Sequence, residues 1–286
     1  VEDAAALERF VMMANTYTQF LQAKLSPSIT KGIEVNEPHP MMTGKFEWQW
    51  PVTRLALRKG AYLIAEDCGL GKSIQLLYWA DCVKRHTNKP VIVLAPLGVT
   101  FQLEAEAKKF GINVKRVKDS YGVKGAGIYL TNYEKLKHLD HRVFGGACLD
   151  ESSILADIGA STRKRLIEAF EHTPYKLACS ATPARNRLGE LGGQAEWLGI
   201  MKQSEMHGRF FRRQYDGPEK WILEGWGKDK FFDWMATWCC FIRSPADIGY
   251  DGSAYVLPEH RVTVHSVPYD RQVDAFLQPW PSKAKC

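Results

Sequence analysis

Four short groups of residues in this 286-residue chain have types and spacing suited to joint chemistry. The first is Gly69-Leu70-Gly71-Lys72-Ser73. Two glycines let a backbone curl until successive N–H groups face one anion, and a helix starting at the lysine sets its positive end behind them. In that arrangement Lys72 reaches the β- and γ-phosphates of a nucleoside triphosphate, and the Ser73 hydroxyl takes a place on Mg²⁺. The spacing fits G-x-x-x-x-G-K-[ST] except at its first position, which is Glu66. The second group is Asp150-Glu151, after the apolar stub Ala147-Cys148-Leu149. A carboxylate at a strand end can hold Mg²⁺ through water, and its neighbour can orient the attacking water. The third is Ser180-Ala181-Thr182, whose hydroxyls suit contact with that acid pair and sensing of the γ-phosphate. The fourth is Gln49, whose amide offers the donor and acceptors that match the edge of adenine.

These groups work together only if the fold carries them to one edge. The apolar run Ala61-Tyr62-Leu63-Ile64 before the glycines and the amphipathic Ile74–Ala80 after them give the strand, turn and helix that a phosphate loop needs. Val91–Ala95 is near-continuously apolar, as in a parallel strand covered on both faces, and a helix through Phe101–Phe110 follows it. Ile112–Val117 and Gly127–Leu130 read as further strands, with Thr131–Glu134 opening another helix. Strands alternating with helices predict an α/β fold with a mostly parallel sheet, whose ligands gather at the strands' carboxyl ends. The loops after residues 65, 95, 130, 150 and 180 lie there.

Outside that core, residues 4–25 have helical apolar spacing that stops at Ser26-Pro27, and residues 26–45 read as loop. Residues 197–241 are rich in aromatics. Phe231, Trp234, Met235 and Trp238 recur at helical spacing, which predicts a packed face in preference to a stacking platform for bases. The net charge of +6 is compatible with an anionic partner. No apolar run approaches the ~18 residues of a membrane span. Seven cysteines without a C-x-x-C pair suggest neither a zinc site nor a disulfide framework, and a reducing cytoplasm fits them.

Taken in order, these segments resemble the first RecA-like lobe of superfamily-2 helicases and translocases, closest to the Swi/Snf-type and phage-encoded DEAD/DEAH-box branches. Gln49 resembles the Q-motif glutamine, and the phosphate loop resembles D-x-G-L-G-K-T with Ser73 in place of threonine. Leu94-Ala95-Pro96-Leu97, Thr131-Asn132-Tyr133-Glu134, Asp150-Glu151-Ser152-Ser153 and Ser180-Ala181-Thr182 resemble the motifs that follow. The resemblance implies a RecA-like P-loop lobe over residues 46–190. It further implies an N-terminal helix and loop over 1–45, an aromatic-rich helical segment over 191–257 and a linker towards a second lobe over 258–286.

What it implies functionally is an ATP hydrolase of the cytoplasm of a bacterium or a phage-infected cell, using ATP and Mg²⁺. Gln49, Gly69, Leu70, Gly71, Lys72 and Ser73 would bind the nucleotide, Ser73 and Asp150 the metal. Lys72, Asp150 and Glu151 would be catalytic, with Ser180 and Thr182 coupling. Nucleic acid, with double-stranded DNA favoured, would run over Pro96, Thr100, Thr131, Asn132 and Tyr133. Basic clusters such as Arg163-Lys164-Arg165 would assist. No stretch here resembles the second lobe, which the resemblance places elsewhere in a longer protein or on a separate chain. Two alternatives remain at this point: a nucleic-acid clamp with ATP as a structural ligand, and another P-loop phosphotransferase. A GTPase is disfavoured because Asn88-Lys89-Pro90-Val91 lacks the aspartate of a guanine-reading segment.

Overall fold

The computed structural model describes residues 32–157, 159–185, 187–214, 221–223, 225–256 and 261–265, with Trp226 described by its backbone alone. The helix expected over 4–25 and most of the 258–286 segment lie outside these residues. Two units divide the chain, one ending at Tyr255 and the other spanning Val256–Cys286. In the second, the described residues 261–265 have no regular structure.

The first unit is built on a seven-stranded sheet. In chain order its strands are β1 (Ala61–Glu66), β2 (Val91–Ala95), β3 (Val114–Arg116), β4 (Ile128–Asn132), β5 (Gly146–Asp150), β6 (Tyr175–Ser180) and β9 (Cys239–Ile242). Their spatial order is β3-β4-β2-β5-β6-β1-β9, and every pairing is parallel. Each residue of β2, β4 and β5 is buried, which is why their sequences are apolar throughout and do not alternate.

Side chains nevertheless alternate between two cores, as the pleat requires. Tyr62 and Ile64 of β1 point into one, with Val52, Leu55 and Leu57 of α1 (Gln49–Lys59) and Leu76, Trp79 and Val83 of α2 (Lys72–Thr87). Leu103 of α3 (Leu97–Lys109) completes that side. Leu63 and Ala65 point into the other, with Leu166 of α4 (Ser161–Ala169), Leu191 and Trp197 of α5 (Leu191–Leu198) and Met206 of α6 (Gln203–Phe210). Each such fully buried leucine contributes roughly 1.5–3 kcal/mol.

The aromatic-rich stretch packs as its spacing predicts. Phe231, Met235 and Trp238, on or just after α7 (Gly225–Ala236), are buried in the second core with Phe210 and Phe211. A two-stranded antiparallel ribbon, β7 (Phe211–Arg213) with β8 (Trp221–Leu223), sits in the same stretch. The chain then returns to the main sheet as β9, beside β1. Thr131-Asn132 leads into a helix, but a short 3₁₀ one over Tyr133–His138, with Asn132 Oδ1 as its cap accepting from Lys135 N at 3.1 Å. Both residues extend β4, paired with Leu94 and Ala95 of β2, because Thr131 is β-branched and buried. Among the described residues, no helix is long and apolar enough to cross a membrane.

Candidate nucleotide site

Three neighbouring strands, β5, β6 and β1, end together and carry the predicted groups. Asp150 is paired with Cys179, and Ala65 with Ser180, so β6 lies between the acid-bearing and loop-bearing strands. Two strand spacings, about 10 Å, therefore separate β1 from β5. The Lys72 charge is felt at both ends of that gap, favouring ionisation of Glu66 and of Asp150.

The loop after β1 takes the curl its glycines allow. Gly69 and Gly71 have φ of +85° and +83°, a left-handed region that strains any side-chain-bearing residue. Gly71 has a second reason to be glycine, since a Cβ there would lie 2.5 Å from Gln49 Nε2. No side chain caps the start of α2, and its first turn holds no acidic residue. The N–H groups of such a turn suit an anion. Lys72 Nζ donates to the carbonyl oxygens of Glu66 (2.7 Å) and Asp67 (2.9 Å), so the ammonium lies across the loop. Ser73, the second residue of α2, is half-buried.

Gln49 is buried behind this loop. Its Nε2 donates to Leu70 O at 2.8 Å, while its Oε1 is buried with no partner among the described residues. A curl of left-handed glycines at a helix start is compatible with the phosphates of a nucleotide, and beside it the Gln49 acceptor is left unpaired. The backbone carbonyl of Gln49 accepts from the Thr53 hydroxyl (2.8 Å), which also approaches Gln75 Oε1 (3.4 Å). Gln75 Nε2 in turn donates to both carboxyl oxygens of Glu66, each at 2.8 Å. Glu66, in the place of the usual glycine, thus faces α2 and not the loop's mouth. Burial raises its pKa to about 7. Thr53 and Gln75 lie inside ordinary helical runs, so nothing in their spacing points to this role.

Across the gap, burial raises Asp150 to about 6, aided by the Glu151 charge and opposed by the Glu151 N–H and Lys72. Glu151 N donates to Asp150 Oδ1 at 3.1 Å. Glu151 itself has φ +54°. Between the two strands, Ser180 Oγ accepts from Thr182 N at 3.1 Å and fixes the turn after β6. Among the described residues no three His, Cys, Asp or Glu converge as a metal cluster. Mg²⁺ in phosphate sites needs only one or two carboxylates beside the phosphate oxygens, and Asp150 and Ser73 are residues of the types that could hold it.

The residues expected to meet nucleic acid divide into two groups. Pro96, Asn132 and Tyr133 line a cavity of about 630 Å³, together with Lys137, Thr162 and Arg165. Thr100 and Thr131 are buried, and their hydroxyls donate to Leu97 O (2.7 Å) and Val117 O (2.9 Å). Tyr133 donates its hydroxyl to Asp150 O, which joins the cavity wall to the acid-bearing strand. In the basic run, Arg163 turns inward to Glu196 (3.0 Å) and Gln203 (2.6 Å), whereas Arg165 is exposed at the cavity.

No family model matches the chain. It is 26% identical over 145 residues to the SWI/SNF-related matrix-associated actin-dependent regulator of chromatin subfamily A-like protein 1 of Xenopus tropicalis, covering 47% of this chain and 15% of that one. It is 27% identical over 208 residues to the mouse DNA annealing helicase and endonuclease ZRANB3, covering 63% of this chain and 19% of that one. The chain thus spans under a fifth of the curated relatives it matches. Its fold matches the SWI2/SNF2 ATPase core domain of Sulfolobus solfataricus with a TM-score of 0.59 at 19% identity, over 81% of this chain and 50% of that one. The same core in complex with dsDNA gives 0.57 at 20% identity, over 77% of this chain and 46% of that one.

Proposed function

We propose that the chain carries a Swi/Snf-like superfamily-2 helicase lobe and is the ATP-binding motor lobe of a nucleic-acid-dependent ATPase, a translocase or helicase acting on double-stranded DNA. The observation that carries this reading is the sheet order: the phosphate-binding loop follows β1 and the acid pair ends β5, and both strands pair with β6, so the two groups lie at one edge of the sheet. On this reading the acid pair at the end of β5 is the counterpart that a phosphate-binding loop alone lacks.

On this reading the N–H groups of Gly69, Leu70, Gly71, Lys72 and Ser73 cradle the phosphates. Lys72 exchanges its loop carbonyls for phosphate oxygens, which the stronger charge-assisted bonds favour. Ser73 and Asp150 would hold Mg²⁺, whose chemistry is to neutralise charge on the β- and γ-oxygens. Glu151 orients the attacking water and accepts its proton. Ser180 and Thr182, on the strand between, transmit the state of the γ-phosphate. Gln49 reads the adenine edge with its unpartnered acceptor. The groove at Pro96, Asn132 and Tyr133 receives the phosphate backbone, which positions the polymer without reading its sequence.

Turnover is proposed to need a second RecA-like lobe that supplies an arginine, a contribution typically worth ~10³–10⁵ in rate. Alone, this lobe binds Mg-ATP weakly and hydrolyses it poorly. Equilibrium binding of ATP to the 286-residue chain and to its Lys72→Ala variant tests the reading. Weak binding abolished in the variant supports it, and equal binding by both proteins removes its basis.

A further inference from the structure

The acid pair's loop is held from behind by α5, a helix that none of the nucleotide motifs includes. A Cβ at Gly193 would lie 2.1 Å from Leu155 O and 3.2 Å from Arg163 Cζ, so only glycine lets the helix close on the turn after the acids. On the helix's other side a Cβ at Gly192 would lie 2.5 Å from Gln203 Cγ. This close seating brings the next residue, Gln194, into the gap between two loops. Its Nε2 donates to Ser152 O at 2.8 Å and to Pro183 O at 3.3 Å. One carbonyl directly follows Glu151 and the other directly follows Thr182.

Gln194 is fully buried, and its Oε1 has no partner among the described residues; the same holds for Ser152 Oγ. Leaving a buried acceptor unpaired is costly, so a position filled for packing alone would be better served by Leu or Met. Glu151, meanwhile, holds a left-handed backbone at φ +54°, a conformation that persists where surrounding contacts enforce it. The donor of Gln194 is such a contact, one residue away.

We propose that Gln194 is a positioning residue, fixing the loop of Asp150 and Glu151 against the loop of Ser180 and Thr182. It touches neither nucleotide nor water and acts through Glu151. The proposal rests on the ATP-hydrolase reading above.

The test is steady-state ATP turnover of the full-length protein with nucleic acid present, comparing Gln194→Met, Gln194→His and Glu151→Gln. Met has similar length and no donor, whereas His keeps an N–H. The expected result for Gln194→Met is a fall in kcat of about 10- to 100-fold, the scale of a misplaced catalytic group. The KM for ATP stays within about twofold, because the phosphate loop is untouched. Gln194→His recovers most of the lost kcat. Should Gln194→Met fail to fold, Gln194→Leu, apolar and without a donor, takes its place with the same expected loss. Turnover near the parent's in a folded donor-free variant overturns the proposal. So does a loss in which His fares no better than Met, since that marks a packing defect. If Glu151→Gln turns over like the parent, the hydrolase reading itself has failed and this proposal fails with it.

Discussion

Tyr133 donates its phenolic hydroxyl to the carbonyl oxygen of Asp150. The tyrosine stands in the wall of the groove, and the aspartate ends the strand that carries the acid pair. Burial and the charges of Asp150 and Glu151 raise the phenol well above its ordinary pKa, so it stays protonated and can only donate to that carbonyl.

From this link follows the first prediction. Tyr133→Phe keeps the ring and removes the bond, so the ratio of ATP turnover with nucleic acid to turnover without it falls by about tenfold. That corresponds to a coupling of about 1.4 kcal/mol, within the usual range for linked sites. Turnover of the full-length protein with and without duplex DNA measures it, and an unchanged ratio contradicts it.

Glu66 gives a prediction about pH. Its pKa rises from an ordinary 4.5 to about 7 in the folded protein, chiefly through burial. The folded state therefore holds this proton more tightly than the unfolded chain, and stability falls as pH rises from about 4.5 to about 7. Glu66→Gln keeps the shape and removes the titration, while the titration of Asp150 is common to both proteins and cancels. Between pH 5 and 8 the stability difference should move in the variant's favour by on the order of 3 kcal/mol. Urea unfolding at the two pH values reads it, and parallel pH profiles count against a buried neutral Glu66.

Arg163 and Arg165 are two residues apart and should behave oppositely. Arg165 faces the groove, so Arg165→Ala weakens duplex binding at low salt and lowers the salt slope by about 1, with little change in stability. Arg163 is buried against Glu196 and Gln203, so Arg163→Ala destabilises the lobe by roughly 2–4 kcal/mol. The partly exposed Glu196 keeps that cost at the lower end. DNA affinity across a salt series, with thermal melting of both variants, separates them. A reversed pattern means the groove is misassigned.

How much of this was legible in the sequence depends on whether a residue's job is local. Gly69-Leu70-Gly71-Lys72-Ser73 needs only strand, turn and helix around it, and the structure supplies all three. Val91–Ala95 reads as a buried parallel strand because both faces are covered, and its bounds match. By contrast, β9 is four residues between an aromatic helix and a capped turn. Its place beside β1 depends on a partner 177 positions away, as in the approach of Cys240 to Leu63 O. Thr131 and Thr100 carry hydroxyls that look available in one dimension, yet both are used by nearby carbonyls once the strands and helices form. Gln75 and Gln194 read as ordinary helix residues; only the distance to Glu66 or to Ser152 reveals what they hold.

In the proposed mechanism Lys72, at the start of α2, and Glu151, at the end of β5, serve one ATP molecule from the two sides of β6. The most direct test is paired measurement of ATP binding and nucleic-acid-stimulated hydrolysis in full-length Glu151→Gln. ATP should still bind with near-parental affinity while turnover falls by at least about 10²-fold, as for the loss of a general base. Hydrolysis at the parental rate by a protein lacking this carboxylate would contradict that mechanism.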